Sequence, residues 1–298
     1  MATTRDIRRR IKSVKNTAQI TKAMQMVAAS KMRKAQQAAL AGRPYAALMN
    51  DVLAEAAART MDFRHPLMET REVRKRAIIL VSTDRGLCGA LNSNLFREAV
   101  KFDQDTTLYV TAGRKASQFI ARTKRPLAAE FTYKDTPQFG EARAISKFAQ
   151  DLFIKHEADA VDVLYTNYIS TLVQRPEIVP FLPVGKIQAV TAGIHGHAEA
   201  GELPAGGDVP YLFEPDEETV LGELLPHSLN FKIYQILLEA KASEHSARMV
   251  AMKNATDNAQ QLIKDLTLQY NKLRQSNITK ELLESPPRKW RWANQPIA

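Results

Sequence analysis

Residues 82–89, Ser-Thr-Asp-Arg-Gly-Leu-Cys-Gly, follow an apolar run and precede a helical pattern. A glycine-containing turn from strand to helix is where nucleotide-binding folds hold phosphate on backbone N–H groups. A Walker loop needs G-x-x-x-x-G-K-[ST], and a dinucleotide site needs G-x-G-x-x-G. Here Gly86 and Gly89 are separated by two residues, and Ala90-Leu91 stands in place of the lysine and hydroxyl residue. The segment is therefore read as a tight structural turn. His195 and His197 form the only close histidine pair, within a glycine-rich stretch that suggests no further ligands for a metal ion. Cys88 is the single cysteine, which excludes an internal disulfide or a cysteine cluster, and it reads as a small buried thiol. Neither G-x-S-x-G nor H-E-x-x-H occurs. No catalytic, cofactor-binding or metal residue is predicted, and the chain is expected to work inside a larger assembly.

The elements around this turn fall into three parts. Residues 1–41 contain no glycine or proline, and Ile7, Ile11, Val14 and Ala18 recur at spacings of 4, 3 and 4. Ile20, Met24 and Val27 are read as continuing that seam one step round the helix. After a short interruption at Gly42 and Pro44, residues 48–60 are again helical in pattern. At the other end, Asp216 followed by Glu217 and Glu218 reads as an N-cap with an acidic first turn, and Pro226 predicts a kink or restart. The next 59 residues, up to Pro286, hold no glycine or proline. There Met252, Ala255, Ala259, Leu262, Leu266 and Leu273 are read as the seam, and small residues (Ala18, Ala28 and Ala29 opposite Ala247, Ala251 and Ala255) would let two antiparallel helices approach closely. A 41-residue helix is about 60 Å long, more than a core of this size can bury, so the terminal helices must pair with each other, with a partner, or both.

The middle has α/β character. Residues 77–81 read as a strand buried on both faces, with a helix over 94–102 capped by Asn92 or Ser93. Further strands are predicted at 108–110, 129–133, 161–169 and 178–182, the last confined to an edge by Pro176, Pro180 and Pro183. Helices are expected from Arg114 and over Pro137–Lys155. The expected fold class is α/β: a long antiparallel coiled coil of the N- and C-terminal helices plus a central, mostly parallel sheet. The divisions are an N-terminal helix over 1–60, a Rossmann-like α/β domain over 76–210 with a mobile loop at 191–210, a C-terminal helix over 211–285, and a basic tail over 286–298.

Composition narrows the class. Hydrophobic residues make up 45% of the 298, enough for a core, yet no stretch approaches a membrane span. Arg8, Arg9, Arg10 and Lys12 occupy the place of a signal peptide's apolar core, and the helical pattern runs on too far for a removable transit peptide. The net charge of +10 calls for an acidic partner surface. With Arg288, Lys289, Trp290, Arg291 and Trp292 in the tail it leaves a nucleic-acid-binding helical protein as a competing reading, one that explains neither the α/β part nor the order of the motifs. A nucleotide-using α/β enzyme with helical arms is the other competitor, and it lacks a phosphate loop.

Three segments carry a more specific signal: Ile7–Lys34, residues 82–92 (STDRGLCGALN) and Ala247–Glu284. Together, in this order, they closely resemble the gamma subunit of F-type ATP synthases, over residues 1–284. The resemblance implies a non-catalytic rotor shaft: two terminal helices in an antiparallel coiled coil inside a ring of alpha and beta subunits. The α/β domain is then at the foot, against the epsilon subunit and the membrane c ring. It implies torque transmission coupled to proton flow, no bound cofactor and no nucleic-acid partner. The expected location is peripheral, on the cytoplasmic face of a bacterial inner membrane or, alternatively, the matrix side of a mitochondrial one. By motif match Met24, Arg248, Gln275 and Thr279 fall at positions that contact the surrounding ring. After Glu284 the sequence departs from the family, because Pro286 and Pro287 should end the helix and a basic, tryptophan-containing tail follows.

Overall fold

The computed structural model describes residues 3–59, 64–184, 211 and 213–284. The glycine-rich segment with His195 and His197, and the tail with its expected break at Pro286, lie outside the described residues. Two compact units emerge, one combining Met1–Met24 with Met252–Ala298 and the other spanning Gln25–Ala251.

The larger unit contains a five-stranded sheet in the order β3-β2-β1-β4-β5. Strands β1 (Arg76–Val81), β2 (Thr107–Ala112), β3 (Leu127–Phe131) and β4 (Ala160–Tyr168) run parallel to their neighbours, and β5 (Gln174–Leu182) is antiparallel to β4 at one edge. The edge position is the one the prolines require, since Pro176 and Pro180 have no N–H to offer a further strand. β1 is enclosed on both faces, because its alternate side chains feed two cores. Ile78 and Leu80 join Tyr109 and Leu164 beneath the helices α2 (Leu91–Val100) and α3 (Arg114–Arg122). Ala77, Ile79 and Val81 join Val110, Val161 and Val163 beneath α4 (Phe139–Ile154). The second core also takes Leu225, Leu229, Ile233, Ile236, Leu237 and Ala240 from the C-terminal helix, so that helix forms part of the layer covering the sheet.

Several elements differ from their sequence reading. α2 begins at Leu91, with Ala90 as N-cap and no side-chain cap. Asn92 instead turns back to donate to Thr83 Oγ1 at 2.7 Å. β3 lies two residues earlier than expected, and β5 extends four residues further towards the N-terminus, paired with β4. A short 3-10 turn at Pro66–Met68, capped by His65 Nδ1, escaped the reading.

Helix α1 runs unbroken over Thr4–Arg59, with Pro44 inside it. A helical proline costs about 3 kcal/mol relative to alanine, and packing downstream offsets it: Met49, Leu53 and Ala56 are buried against Leu221 and Phe231. Gly42 makes that approach possible, because a Cβ there would stand 2.0 Å from Gln235 Nε2 and 3.2 Å from Phe231 Cζ. Likewise α5 is continuous over Glu217–Glu284, through Pro226, so the helix does not restart there. Its N-terminus is capped as the sequence suggests: Thr219 N donates to Asp216 Oδ1 at 2.8 Å and Thr219 Oγ1 to Asp216 Oδ2 at 2.9 Å.

In the smaller unit the two helices pack on each other. Arg8 Nη2 donates to Tyr270 Oη at 2.6 Å, and the Thr21 and Thr256 hydroxyls are 2.7 Å apart. From 8 to 21 is thirteen residues up α1, while from 270 to 256 is fourteen residues down α5, so the pair is antiparallel. On α5 the inward positions are Met252, Thr256, Ala259, Ile263, Leu266, Tyr270 and Leu273, at spacings of 4, 3, 4, 3, 4 and 3, the period of a coiled-coil seam. Of the expected seam residues, Ala255 is half-buried beside Thr256, whereas Leu262 faces solvent and Ile263 takes its place. On α1 the inward line is Ile7, Ile11, Val14, Ala18 and Thr21, whereas Ile20 and Val27 are exposed rather than in the seam.

Candidate functional site

The Ser82–Asn92 turn owes its shape to the elements it joins. The N-terminus of α3 presents unpaired backbone N–H groups. Three successive residues of the turn take them up: Ser82 Oγ accepts from Ala116 N at 2.8 Å, Thr83 O from Lys115 N at 3.1 Å and Asp84 Oδ1 from Arg114 N at 3.0 Å. This capping role is invisible in the local sequence, since donors and acceptors are about thirty residues apart. Gly113 is required for it. With φ +104, its missing Cβ would collide with Ser82 O at 2.3 Å. Tyr133, fully enclosed, donates its hydroxyl to Ser82 O at 3.0 Å, and burial pushes its pKa well above the usual phenol value. Gly89 and Leu87 both take positive φ, +61 and +64, the latter an uncommon backbone state for a side-chain-bearing residue.

Since β1 is flanked by β2 on one side and β4 on the other, this turn is at the point where strand order reverses. Open α/β sheets bind ligands there. Here the C-terminal helix itself fills the place. Cys88 and Leu91 are buried against Ala247, and Gly89 lies opposite Ala251. Arg248 Nη2 donates to the backbone carbonyls of Arg85 at 3.4 Å and Gly86 at 3.3 Å, and to Glu244 Oε1 at 2.7 Å. A phosphate loop turns N–H groups inward. This turn offers carbonyl oxygens, which attract a cation and repel an anion, so the expectation of a structural turn holds and its occupant is the chain's own guanidinium. Cys88 is buried as expected, and desolvation raises its thiol pKa, which disfavours the reactive thiolate.

Behind Arg248 the charges alternate. Glu244 Oε2 accepts from Lys241 Nζ at 3.0 Å, Lys241 Nζ lies 3.8 Å from Asp135 Oδ1, and Asp135 accepts from Lys31 of α1. Lys241 is almost completely buried, with its ammonium 4.6 Å from the centre of the Tyr133 ring. The Lys31 hydrogen bond, with help from Lys241, holds the Asp135 carboxyl below its ordinary pKa. His245 is enclosed beside them. Because a guanidinium can only donate, its Nδ1 accepts from Arg248 Nη1 at 3.4 Å. Its Nε2 has no partner among the described residues, and burial lowers its pKa to about 4. Composition gave no sign of this network, because its members come from four separate stretches of chain.

The predicted contact residues divide by environment. Arg248 belongs to this network and its side chain is only 12% exposed. Gln275 and Thr279 lie on an exposed stretch of α5, where Thr279 Oγ1 donates to Gln275 O at 3.0 Å. Met24 is half-buried on α1. Among the described residues, no cluster of three or more metal-ligating side chains occurs, and no helix is long and apolar enough to cross a membrane.

Comparison with known proteins gives a consistent result. The ATP synthase family model matches residues 3–284. A gamma chain from Opitutus terrae is 52% identical over 285 residues, covering 95% of this chain and 97% of that protein. One from Methylacidiphilum infernorum is 46% identical over 289 residues, with the same coverage. Among solved structures, the rotor of the Euglena gracilis mitochondrial ATP synthase matches with a TM-score of 0.61 at 21% identity, covering 92% of this chain and 98% of that one. The central stalk and c-ring structure from Tetrahymena thermophila matches with a TM-score of 0.57 at 23% identity, covering 79% and 99%. At such identities the structural likeness speaks to the fold, while the sequence relatives speak to the family. With a seam of paired terminal helices, a sheet whose switch-point turn is held by the chain's own arginine, and relatives of this identity over nearly the whole length, the chain belongs to the ATP synthase gamma chain family, the non-catalytic rotor subunits of the enzyme's central stalk.

Proposed function

We propose that the chain transmits torque between a c ring and the alpha and beta subunits of an F1 ring, with an epsilon subunit beside its α/β domain. The observation carrying this reading is the antiparallel seam marked by Arg8–Tyr270 and Thr21–Thr256. Two helices that bury only a narrow line between them leave most of their circumference to meet a surrounding partner. Arg9, Arg10, Lys12, Lys15 and Lys22 line the exposed part of α1 and suit acidic loops on such a ring. Gln275 and Thr279 are assigned to ring contacts, as is Met24, which divides its surface between seam and partner. Arg248 is assigned to shaping the Ser82–Asn92 turn, since its Nη1 and Nη2 groups are engaged within the chain. The location that follows is the cytoplasmic face of a bacterial inner membrane, reached through the c ring.

The test is reconstitution with alpha and beta subunits. The isolated chain turns over no ATP, and adding it to the ring subunits raises ATP hydrolysis and produces stepwise rotation of a bead fixed to the α/β domain. Turnover by the chain alone, or hydrolysis without rotation, refutes the proposal.

A further inference from the structure

Resting on the rotor reading, we infer that the alternating charges Lys31–Asp135–Lys241–Glu244–Arg248 form a latch that sets the torsional stiffness between the α/β domain and the helical segments packed on it. Torque applied to the sheet must pass into α1 and α5. Apolar packing resists separation, but it is non-directional and permits small rotations. Hydrogen-bonded charges fix direction. The latch grips at two places on the α/β domain. Asp135, in the loop after β3, takes Lys31 from α1 and faces Lys241 of α5, so a single carboxylate ties both helices to the sheet. About two helical turns along α5, Arg248 holds the carbonyls of Arg85 and Gly86 in the loop after β1. Two attachment points separated along one helix axis oppose rotation far better than one.

Energetics also points away from a purely stabilising role. Lys241 and Glu244 are each under 5% exposed, and burying such a pair costs desolvation that well-packed apolar residues of similar volume would avoid. Here the pair orients the next residue, because Glu244 divides its oxygens between Lys241 and Arg248. Arg248 in turn reaches the turn carbonyls. Remove the middle of the chain and both ends remain, but they no longer constrain each other.

The experiment uses the assembled alpha, beta and gamma complex, immobilised through its ring, with a probe on an exposed cysteine introduced by Asp105→Cys. The angular variance of the probe in a stalled complex measures stiffness. Two variants are compared with the unaltered latch: Asp135→Asn, and Lys241→Met combined with Glu244→Gln, which removes one charge of each sign and keeps an acceptor for Arg248. The expected result is larger angular variance in both, with thermal midpoint and ATP hydrolysis rate unchanged. Unchanged variance overturns the latch, and so does an increase that appears only with a lowered thermal midpoint. Failure of the unaltered complex to rotate on ATP would instead overturn the rotor reading and the latch with it.

Discussion

Thr21 of α1 and Thr256 of α5 share a hydrogen bond of 2.7 Å between their hydroxyls inside an otherwise apolar seam. Thr256 Oγ1 also lies 2.8 Å from Met252 O, and Thr21 Oγ1 3.1 Å from Ala18 O. Two hydroxyls carry only two protons, so one proton bridges the helices and the other goes to a carbonyl of its own helix. Replacing one threonine by valine strands its partner only in part, at a cost of about 1 kcal/mol. Replacing both restores a matched apolar pair. Urea denaturation of Thr21→Val, Thr256→Val and the double variant should therefore show the double variant less destabilised than the sum of the singles, with a coupling of about 1 kcal/mol. Strict additivity would mean that the hydroxyls do not interact.

Disulfide trapping checks the phase of the seam. In a Cys88→Ser background, Thr21→Cys with Thr256→Cys should oxidise readily to an intramolecular bridge, since the hydroxyls they replace are in contact. Ile20→Cys with Asp257→Cys, at the same height along the pair, should stay reduced, because both positions face solvent. Gel mobility without reductant reads the outcome, and bridging by the second pair would put the seam one residue out of phase.

Truncating Arg248 should loosen the Ser82–Asn92 turn. Arg248→Ala removes a charge-assisted bond to Glu244 and two contacts to carbonyls, a loss of about 2–3 kcal/mol. Hydrogen exchange should quicken at the amides of 85–89 more than in β1. Arg248→Lys should recover part of the protection, as an ammonium supplies charge but lacks the second nitrogen that also engages His245. Equal exchange in all three proteins would show that the turn holds its shape unaided.

His245 makes stability depend on pH in a defined direction. Its folded pKa of about 4 lies below the unfolded value of 6.5, so between these limits the unfolded chain binds a proton that the folded chain refuses. Stability from this residue is complete above pH 6.5, falls as pH drops, and levels off below about pH 4. The full effect is on the order of 3 kcal/mol. Unfolding free energies at pH 7 and pH 4.5 should differ less in His245→Gln than in the parent. An identical difference in both proteins would exclude the histidine as the source.

Periodicity and breakers made the terminal helices and the parallel sheet legible, because both depend on local pattern. The phase of the seam was harder to read. Thr21 and Thr256 are polar, so apolar periodicity does not mark them and points instead to Ile20 and Leu262, one step to the side. These threonines satisfy each other, a relation between residues 235 positions apart. The prolines misled in the opposite way: Pro44 and Pro226 signal a break locally, yet packing carries each helix through. At the candidate site, the lack of a phosphate loop could be read from glycine spacing. The guanidinium that takes its place could not, since Arg248 and Gly86 meet only after the chain has folded.

A cation fastened to its receptor by the chain itself is always at hand, whereas one diffusing from solution must compete with it. The carbonyls of Arg85 and Gly86 are thus served at the high effective concentration of a tethered guanidinium. Whatever loosens α5 from the turn also frees those carbonyls, which ties the shape of the turn to the seating of the helix.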